Sequence, residues 1–329
     1  MPARVIGFGF RSCFALSCTL ALIALTLLPA AWAREGGDQY PNGAENWFAG
    51  AAPPPGFHYV NYFGVYTGNL KDGSGHKVLF DGSTPSVTAT FNAFRFVQMT
   101  RLKLFGADYG AHVIVPVVHQ SVDLGGTAAA TGVGDLTVDP LVLGWHGSQW
   151  HAIAAFDVFL PTGAYDRNDS RVSIGSNMTG FDPLLAVSYL PKSGWEASIK
   201  LMYDLYTTNS ATQYHSGQEF HTDYAAGKHF GPEHSGPWMA GATGYFVQQT
   251  TDDTENGVSV PAVSGLYDGG RRGRALAVGP SVGYVNARHV IFMADWQHET
   301  LVQNRFGGDK VWFKIIVPVD SLFARPAVH

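Results

Sequence analysis

His215, Glu219, His221 and Asp223 are the tightest group of metal-ligating side-chain types in the chain. Their odd numbers put all four on one face of an extended strand. Histidine with carboxylate is a donor set that zinc accepts. The same spacing on a barrel wall makes a polar ladder facing water, and that reading is preferred; no metal and no cofactor is expected. His298-Glu299 lacks the second histidine, four residues on, that a helical zinc-protease motif needs. Gly132-x-Gly134 lacks the third glycine and the following helix of a dinucleotide fingerprint. Hydrolase chemistry would need a serine in a nucleophile context with a histidine and an acid nearby. No serine stands out in such a context, so the chain is not expected to be an enzyme.

The remaining charged residues matter for where they must point. Asp157, Lys200, Asp204, Asp295 and Lys314 each stand between apolar neighbours, and Glu219, Asp223 and Glu299 fall on the polar faces of further strand-like segments. A charge facing hydrocarbon costs several kcal/mol near the bilayer midplane. These residues, with His221 and the aromatic Tyr206, are therefore expected to line a lumen and to be the candidates for permeation.

The elements that would place them are strands. Trp195, Ala197, Ile199, Leu201, Tyr203 and Leu205 share one face, opposite Glu196, Ser198, Lys200 and Asp204. Trp150 to Leu160 repeats this, as do Val290 to Trp296 and Val311 to Val319. Strict period 2 marks strands with one buried face, each long enough to cross a bilayer as a tilted strand of roughly 9–11 residues. Short turns are expected at Gly106–Asp108, Gly147–Gln149, Pro191–Gly194, Gly231–Gly236 and Asn286–Arg288. Long connections are expected at Leu70–Ser86, Asp123–Val133, Gly163–Ser176, Asn209–His215, Thr251–Arg272 and Val302–Asp309. Short and long alternate, as in bacterial outer-membrane barrels. Six long and five short connections join twelve antiparallel strands over residues 57–321, in an all-β transmembrane barrel. A soluble sandwich also alternates, but with this pattern it would be coated in apolar patches. No internal repeat beyond the hairpin rhythm is expected.

The N-terminus has Arg4 and Arg11, an apolar run from Phe14 to Leu28 and Ala31-Trp32-Ala33, the layout of a cleaved signal peptide over residues 1–33. Both cysteines, Cys13 and Cys18, lie within it. Removing Arg4 and Arg11 leaves 19 basic residues against 26 acidic ones, a net charge of −7. That argues against a nucleic-acid partner. A mean hydropathy of +0.00 with 14% charged residues suits a wall with lipid on one side and water on the other. Residues 34–56, rich in glycine and proline, read as a periplasmic or lumen-entering lead-in, a plain linker in preference to a plug. Residues 322–329 read as a short tail.

Six blocks carry a family resemblance. They are Gly132-Val133-Gly134-Asp135-Leu136 with Asp139-Pro140-Leu141; Leu160-Pro161-Thr162-Gly163-Ala164-Tyr165; Tyr214 to His221; Gln248 to Asp253; Gly279-Pro280-Ser281-Val282-Gly283-Tyr284; and His298-Glu299 with Asn304-Arg305. In this order they resemble the Gram-negative outer-membrane proteins of the meta-pathway of phenol degradation, MetA-type transporters, over nearly all of the mature chain. The resemblance implies a barrel that admits hydrophobic or aromatic compounds. The expected function is passive uptake of small solutes across the outer membrane. The alternative is a structural or surface-binding barrel with a plugged lumen. The expected partners are outer-membrane lipid, a small-molecule solute and, during biogenesis, the barrel-assembly machinery.

Overall fold

The computed structural model describes residues 37–80, 82–231 and 237–320. The signal-peptide reading, most of the Gly231–Gly236 turn and the C-terminal tail lie outside the described residues.

Twelve antiparallel strands close into one barrel. They are β1 (Gly56–Lys71), β2 (Ser86–Leu104), β3 (Ala107–Asp123), β4 in two pieces (Thr127–Val133 and Leu136–His146), β5 (Trp150–Leu160), β6 (Gly180–Tyr189), β7 (Trp195–Tyr206), β8 (Glu219–Phe230), β9 (Trp238–Gln249), β10 (Arg274–Val285), β11 (Ile291–Gln303) and β12 (Arg305–Pro318). Each pairs with its sequence neighbours, and β1 closes the ring on β12, from His58 opposite Pro318 to Lys71 opposite Arg305. Closure leaves no free edge, so every strand finds a hydrogen-bond partner without water, as hydrocarbon requires.

Alternation decides which side chains face out. Along β7, exposed Trp195, Ala197 and Ile199 alternate with buried Glu196, Ser198 and Lys200. Trp150, Trp195 and Trp238 open β5, β7 and β9 at the short-turn end and are more than half exposed. Trp150 packs on Tyr189 and Trp238 on Tyr284, with ring centroids 4.5 and 4.9 Å apart. A ring of amphipathic aromatics at one level is the girdle that seats a barrel at the membrane interface.

Two expected long connections prove to be strand. Of residues 123–133, only 124–126 form a turn; Thr127–Val133 pairs back on β3. Residues 302–309 are not a loop either. Beyond the β11–β12 ladder, Val302 pairs with Ala275 of β10 and Gly308 with Gly68 of β1, and only Asn304 turns the chain. Both segments are rich in small and polar residues. That composition suits a loop and equally suits strand that projects beyond the bilayer.

The other long connections cover the outer end. Tyr214-His215, Thr254-Glu255 and Val258-Ser259 make a small three-stranded sheet. Beneath it Leu70, Val78, Tyr214, Val260, Leu266 and Tyr267 pack together. In the loop over residues 161–179, Asp169 holds Arg171 at 2.8 Å, and Arg171 Nη1 donates to the Gly126 carbonyl.

The lead-in is not a linker. Residues 38–50 run through the lumen, from Asp38 beside Arg305 at the loop end down to the Pro53-Pro54-Pro55 stretch beside β1. The physical reason is its backbone: glycine and small residues fit between walls that supply carboxylates to its N–H groups.

Candidate functional site

The lumen is lined by the charged residues that alternation turned inward, and the N-terminal segment lies along them. Asp223 accepts three bonds from it: the Tyr40 hydroxyl at 2.7 Å, the Gly43 N–H at 2.7 Å and the Glu45 N–H at 3.0 Å. Lower down, Trp47 Nε1 donates to Ser281, the Phe48 N–H to Glu196 at 2.6 Å and the Gly50 N–H to Ser188 at 2.8 Å. Gly43 has a positive φ of 86°, and a Cβ there would collide with Gln297 and Tyr245. A Cβ on Gly50 would lie 2.5 Å from the Ser188 backbone nitrogen. Glycine at these two positions lets the segment turn and approach the wall.

Glu45 sits at the centre. It pairs with Arg95 of β2 and, at 2.7 Å, with Lys200 of β7, and accepts from the Tyr62 hydroxyl at 2.6 Å. Two cavities meet there. The one toward the outer loops holds about 340 Å³ and is lined by Tyr66, Phe91, Ile114, Val118 and Trp312 among others. The one toward the short turns holds about 570 Å³, with Val60, Val97, Ile153, Met293 and Ile316 in its wall. Ala44, Glu45 and Tyr62 line both. The lumen is thus two chambers, mainly apolar but edged by Asp157, Glu299 and Lys310 in the outer one and by Lys200 and Lys314 in the inner one, with a polar crossbar between them.

All ten residues singled out from the sequence are buried. Lys200 meets Glu45; Asp295 pairs with Lys314 at 2.5 Å; Glu299 accepts from Tyr245 at 2.6 Å and Tyr66 at 3.1 Å. Tyr206 donates to Asp204 at 2.8 Å and lies 3.4 Å from Glu219. Asp157 faces His112 at 3.0 Å, and His221 faces Asp204 at 3.2 Å. The sequence-adjacent group of His215, Glu219, His221 and Asp223 does not assemble. His215 lies in the small loop sheet, paired with Thr254, while the others turn to different partners. His221 instead joins Asp182 and Asp204, and His112 joins Asp139 and Asp157.

Glu45, Arg95, His112, Asp139 and Asp182 were not foreseen. One signal was available: Val138-Asp139-Pro140-Leu141 and Phe181-Asp182-Pro183-Leu184 repeat an Asp-Pro-Leu step, against the expectation of no repeat. Proline donates nothing to a ladder. Regular pairing is interrupted at both: the β4–β5 register shifts between Val138 and Leu143, and the β6–β7 ladder skips Asp182 and Pro183 without a shift. In each case the preceding aspartate turns inward and takes an orphaned amide of the neighbouring strand. Asp139 accepts from Phe156 at 3.1 Å, and Asp182 accepts from Tyr203 at 3.1 Å.

Gly279-Pro280-Ser281-Val282-Gly283 does have the nucleophile-elbow spacing, against the expectation that no serine stands in such a context. Ser281 lies within strand β10, not on a strand-to-helix turn. It donates to Asp295 and accepts from Trp47. It has the acid but not the geometry, and its observed role is to tie the N-terminal segment to the wall.

No curated protein matches the chain in sequence. A solved outer-membrane channel of the COG4313 group from Pseudomonas putida F1 superposes with a TM-score of 0.66 at 15% identity, covering 85% of this chain and 99% of its own. The β domain of the Bordetella autotransporter BrkA gives 0.49 at 10% identity, over 80% of this chain and all of its own. The first likeness establishes the fold as an outer-membrane barrel. Residues 67–315 match the family described as "Putative MetA-pathway of phenol degradation", more than half of the chain, and the protein belongs to that family.

Proposed function

We propose that the protein is an outer-membrane channel through which small hydrophobic or aromatic compounds enter by diffusion, the N-terminal segment setting how wide the path is. The observation that carries this reading is the pair of apolar chambers stacked along the lumen and meeting at Glu45. A twelve-stranded barrel is wider than the eight-stranded kind that side chains fill. Here the extra width is shared between the segment and empty apolar space. A planar ring would gain by leaving water for chambers edged by Phe91 and Trp312. The ionised groups that edge the chambers are held in pairs, Asp157 with His112, Lys200 with Glu45 and Lys314 with Asp295, so their charge is largely spent within the wall and segment.

The test is entry into proteoliposomes of a neutral aromatic alcohol against a sugar of similar volume, with the intact protein and with residues 37–50 deleted. The reading expects selective entry of the aromatic solute through the intact barrel and loss of selectivity on deletion. Equal exclusion of both solutes by the intact protein would sink it.

A second reading, a barrel plugged for a structural or surface-binding role, has its own support. The segment makes wall contacts from Asp38 to Gly50 and crosses the lumen at Glu45. It predicts no solute entry until the segment is removed.

A further inference from the structure

Strands β6, β7 and β8 bring Asp182, Asp204 and His221 to one level of the wall. Their exposures are 0%, 1% and 1%. One ligand atom of each lies within 4.8 Å of the other two. His221 Nε2 stands 3.2 Å from Asp204 Oδ2 and 3.9 Å from Asp182 Oδ1. Tyr206 donates to Asp204 Oδ2 and the Tyr203 N–H to Asp182 Oδ1, but Asp182 Oδ2, Asp204 Oδ1 and His221 Nε2 have no hydrogen-bond partner.

Asn42 sets the tautomer of His221. Its Nδ2 donates to Asp38 at 2.7 Å, so its Oδ1 is the atom that faces His221 Nδ1 at 3.0 Å. An amide oxygen only accepts, so Nδ1 carries the proton. In the neutral ring Nε2 is then a lone pair aimed at two carboxylates, and three electron-rich groups converge with nothing between them. Lys200, on the same strand as Asp204, is already engaged by Glu45, so the two carboxylates are balanced either by a second proton on His221 or by a bound cation. The other triad lacks this logic. His112 Nε2 and Asp157 Oδ1 also lack a hydrogen-bond partner, but there Arg95 Nη2 donates to His112 Nδ1 at 3.1 Å, which leaves the His112 proton on Nε2, 3.0 Å from Asp157.

We propose that Asp182, Asp204 and His221 bind one divalent cation of the zinc class. Zinc takes imidazole nitrogen and carboxylate oxygen at about 2.0–2.2 Å, and a tetrahedron of that size has edges of about 3.3 Å. The observed separations bracket that edge. Too few oxygens converge for calcium, which takes six to eight. A ligating histidine commonly donates its other N–H to a carbonyl or carboxylate, which Asn42 backed by Asp38 provides. The ion would tie three wall strands to the N-terminal segment through that bond.

The experiment uses the intact barrel purified without a polyhistidine tag, stripped with chelator, incubated with zinc chloride and passed through a desalting column. Elemental analysis is expected to find about one zinc per chain. The D182N/D204N double variant should retain none, H112Q should retain it, and N42A should bind roughly 10–100-fold more weakly. Heat-modifiable migration on gels reports folding of each variant. Should the double variant fail to fold, X-ray absorption on the zinc-loaded native protein decides, with one imidazole and oxygen ligands expected. Folded native protein without zinc, a folded double variant that binds as well as the native chain, or a spectrum with two or more imidazoles overturns the proposal.

Discussion

Lys200 Nζ donates to Glu45 Oε2 at 2.7 Å, across 155 residues of sequence and from the lumen wall to the segment that threads it. Arg95 reaches the other oxygen of the same carboxylate. One acid thereby bridges cations from β2 and β7. Removing one member of a buried pair leaves an uncompensated charge, which costs about 3–5 kcal/mol. Glu45 is partly accessible, so Glu45→Ala is expected toward the lower end, about 3 kcal/mol, by denaturant unfolding in detergent. Single-channel conductance in planar bilayers should rise as the crossbar loosens. Unchanged conductance in a folded variant would show that Glu45 does not close the path.

Gly50 gives a steric test of the same segment. A side chain there would strike the backbone of Val187 and Ser188. Gly50→Val should push the segment away and break its bond to Ser188 Oγ. Both cysteines lie within residues 1–33, so in a mature protein that lacks them a cysteine introduced at Ala49 would be a unique thiol. Its labelling by a water-soluble maleimide should be several-fold faster in the Gly50→Val background. Equal rates would mean that the segment does not depend on this close approach.

The Asp-Pro steps make a prediction about the wall. Asp139 accepts the amides of Leu141 at 2.7 Å and Phe156 at 3.1 Å beside Pro140. Asp139→Ala would orphan both in a region without water, at about 1–3 kcal/mol for each unpaired group. Asp139→Asn keeps one acceptor oxygen and should recover part of that loss. The check is the unfolding midpoint of each variant. Equal midpoints for alanine and asparagine would refute the role.

For the apolar chambers, volume is the variable. Ala93 lies in the wall of the outer one, next to Phe91. Ala93→Phe should fill part of it and slow entry of an aromatic solute into proteoliposomes, with little change in folding. Entry at the native rate would argue that solutes do not use this chamber.

An outer loop carries a pH prediction. The hydrogen bond from Arg171 holds the Asp169 carboxyl below its usual range. A depressed folded value means the contact contributes above the ordinary aspartate value of about 3.9 and is lost as pH falls through the folded value. Carboxyl NMR of Asp169 should show a midpoint below about 3.9 that returns to the ordinary value in Arg171→Ala. An unshifted midpoint in the native protein would remove the pair as an anchor of the loop.

Much of the wall was legible because a barrel strand is read two residues at a time. Whether Lys200 points in or out depends on its immediate neighbours, since side chains alternate along a strand and lipid excludes charge. The twelve strands and the inward charges follow from that local rule. Residues 302–309 escaped it. Their strand character comes from β10 and β1 on either side, and no glycine-rich stretch announces its neighbours.

The alternation of polar and apolar residues by itself determined a closed antiparallel wall and which side chains enter the lumen. Only the tertiary structure decided what those side chains meet. Glu45 with Lys200, Asp223 with Tyr40 and His221 with Asp182 join residues from 39 to 183 positions apart. A strand pattern states a direction, while a contact across the lumen depends on barrel closure, on register and on a segment whose own sequence has no periodicity to betray where it lies.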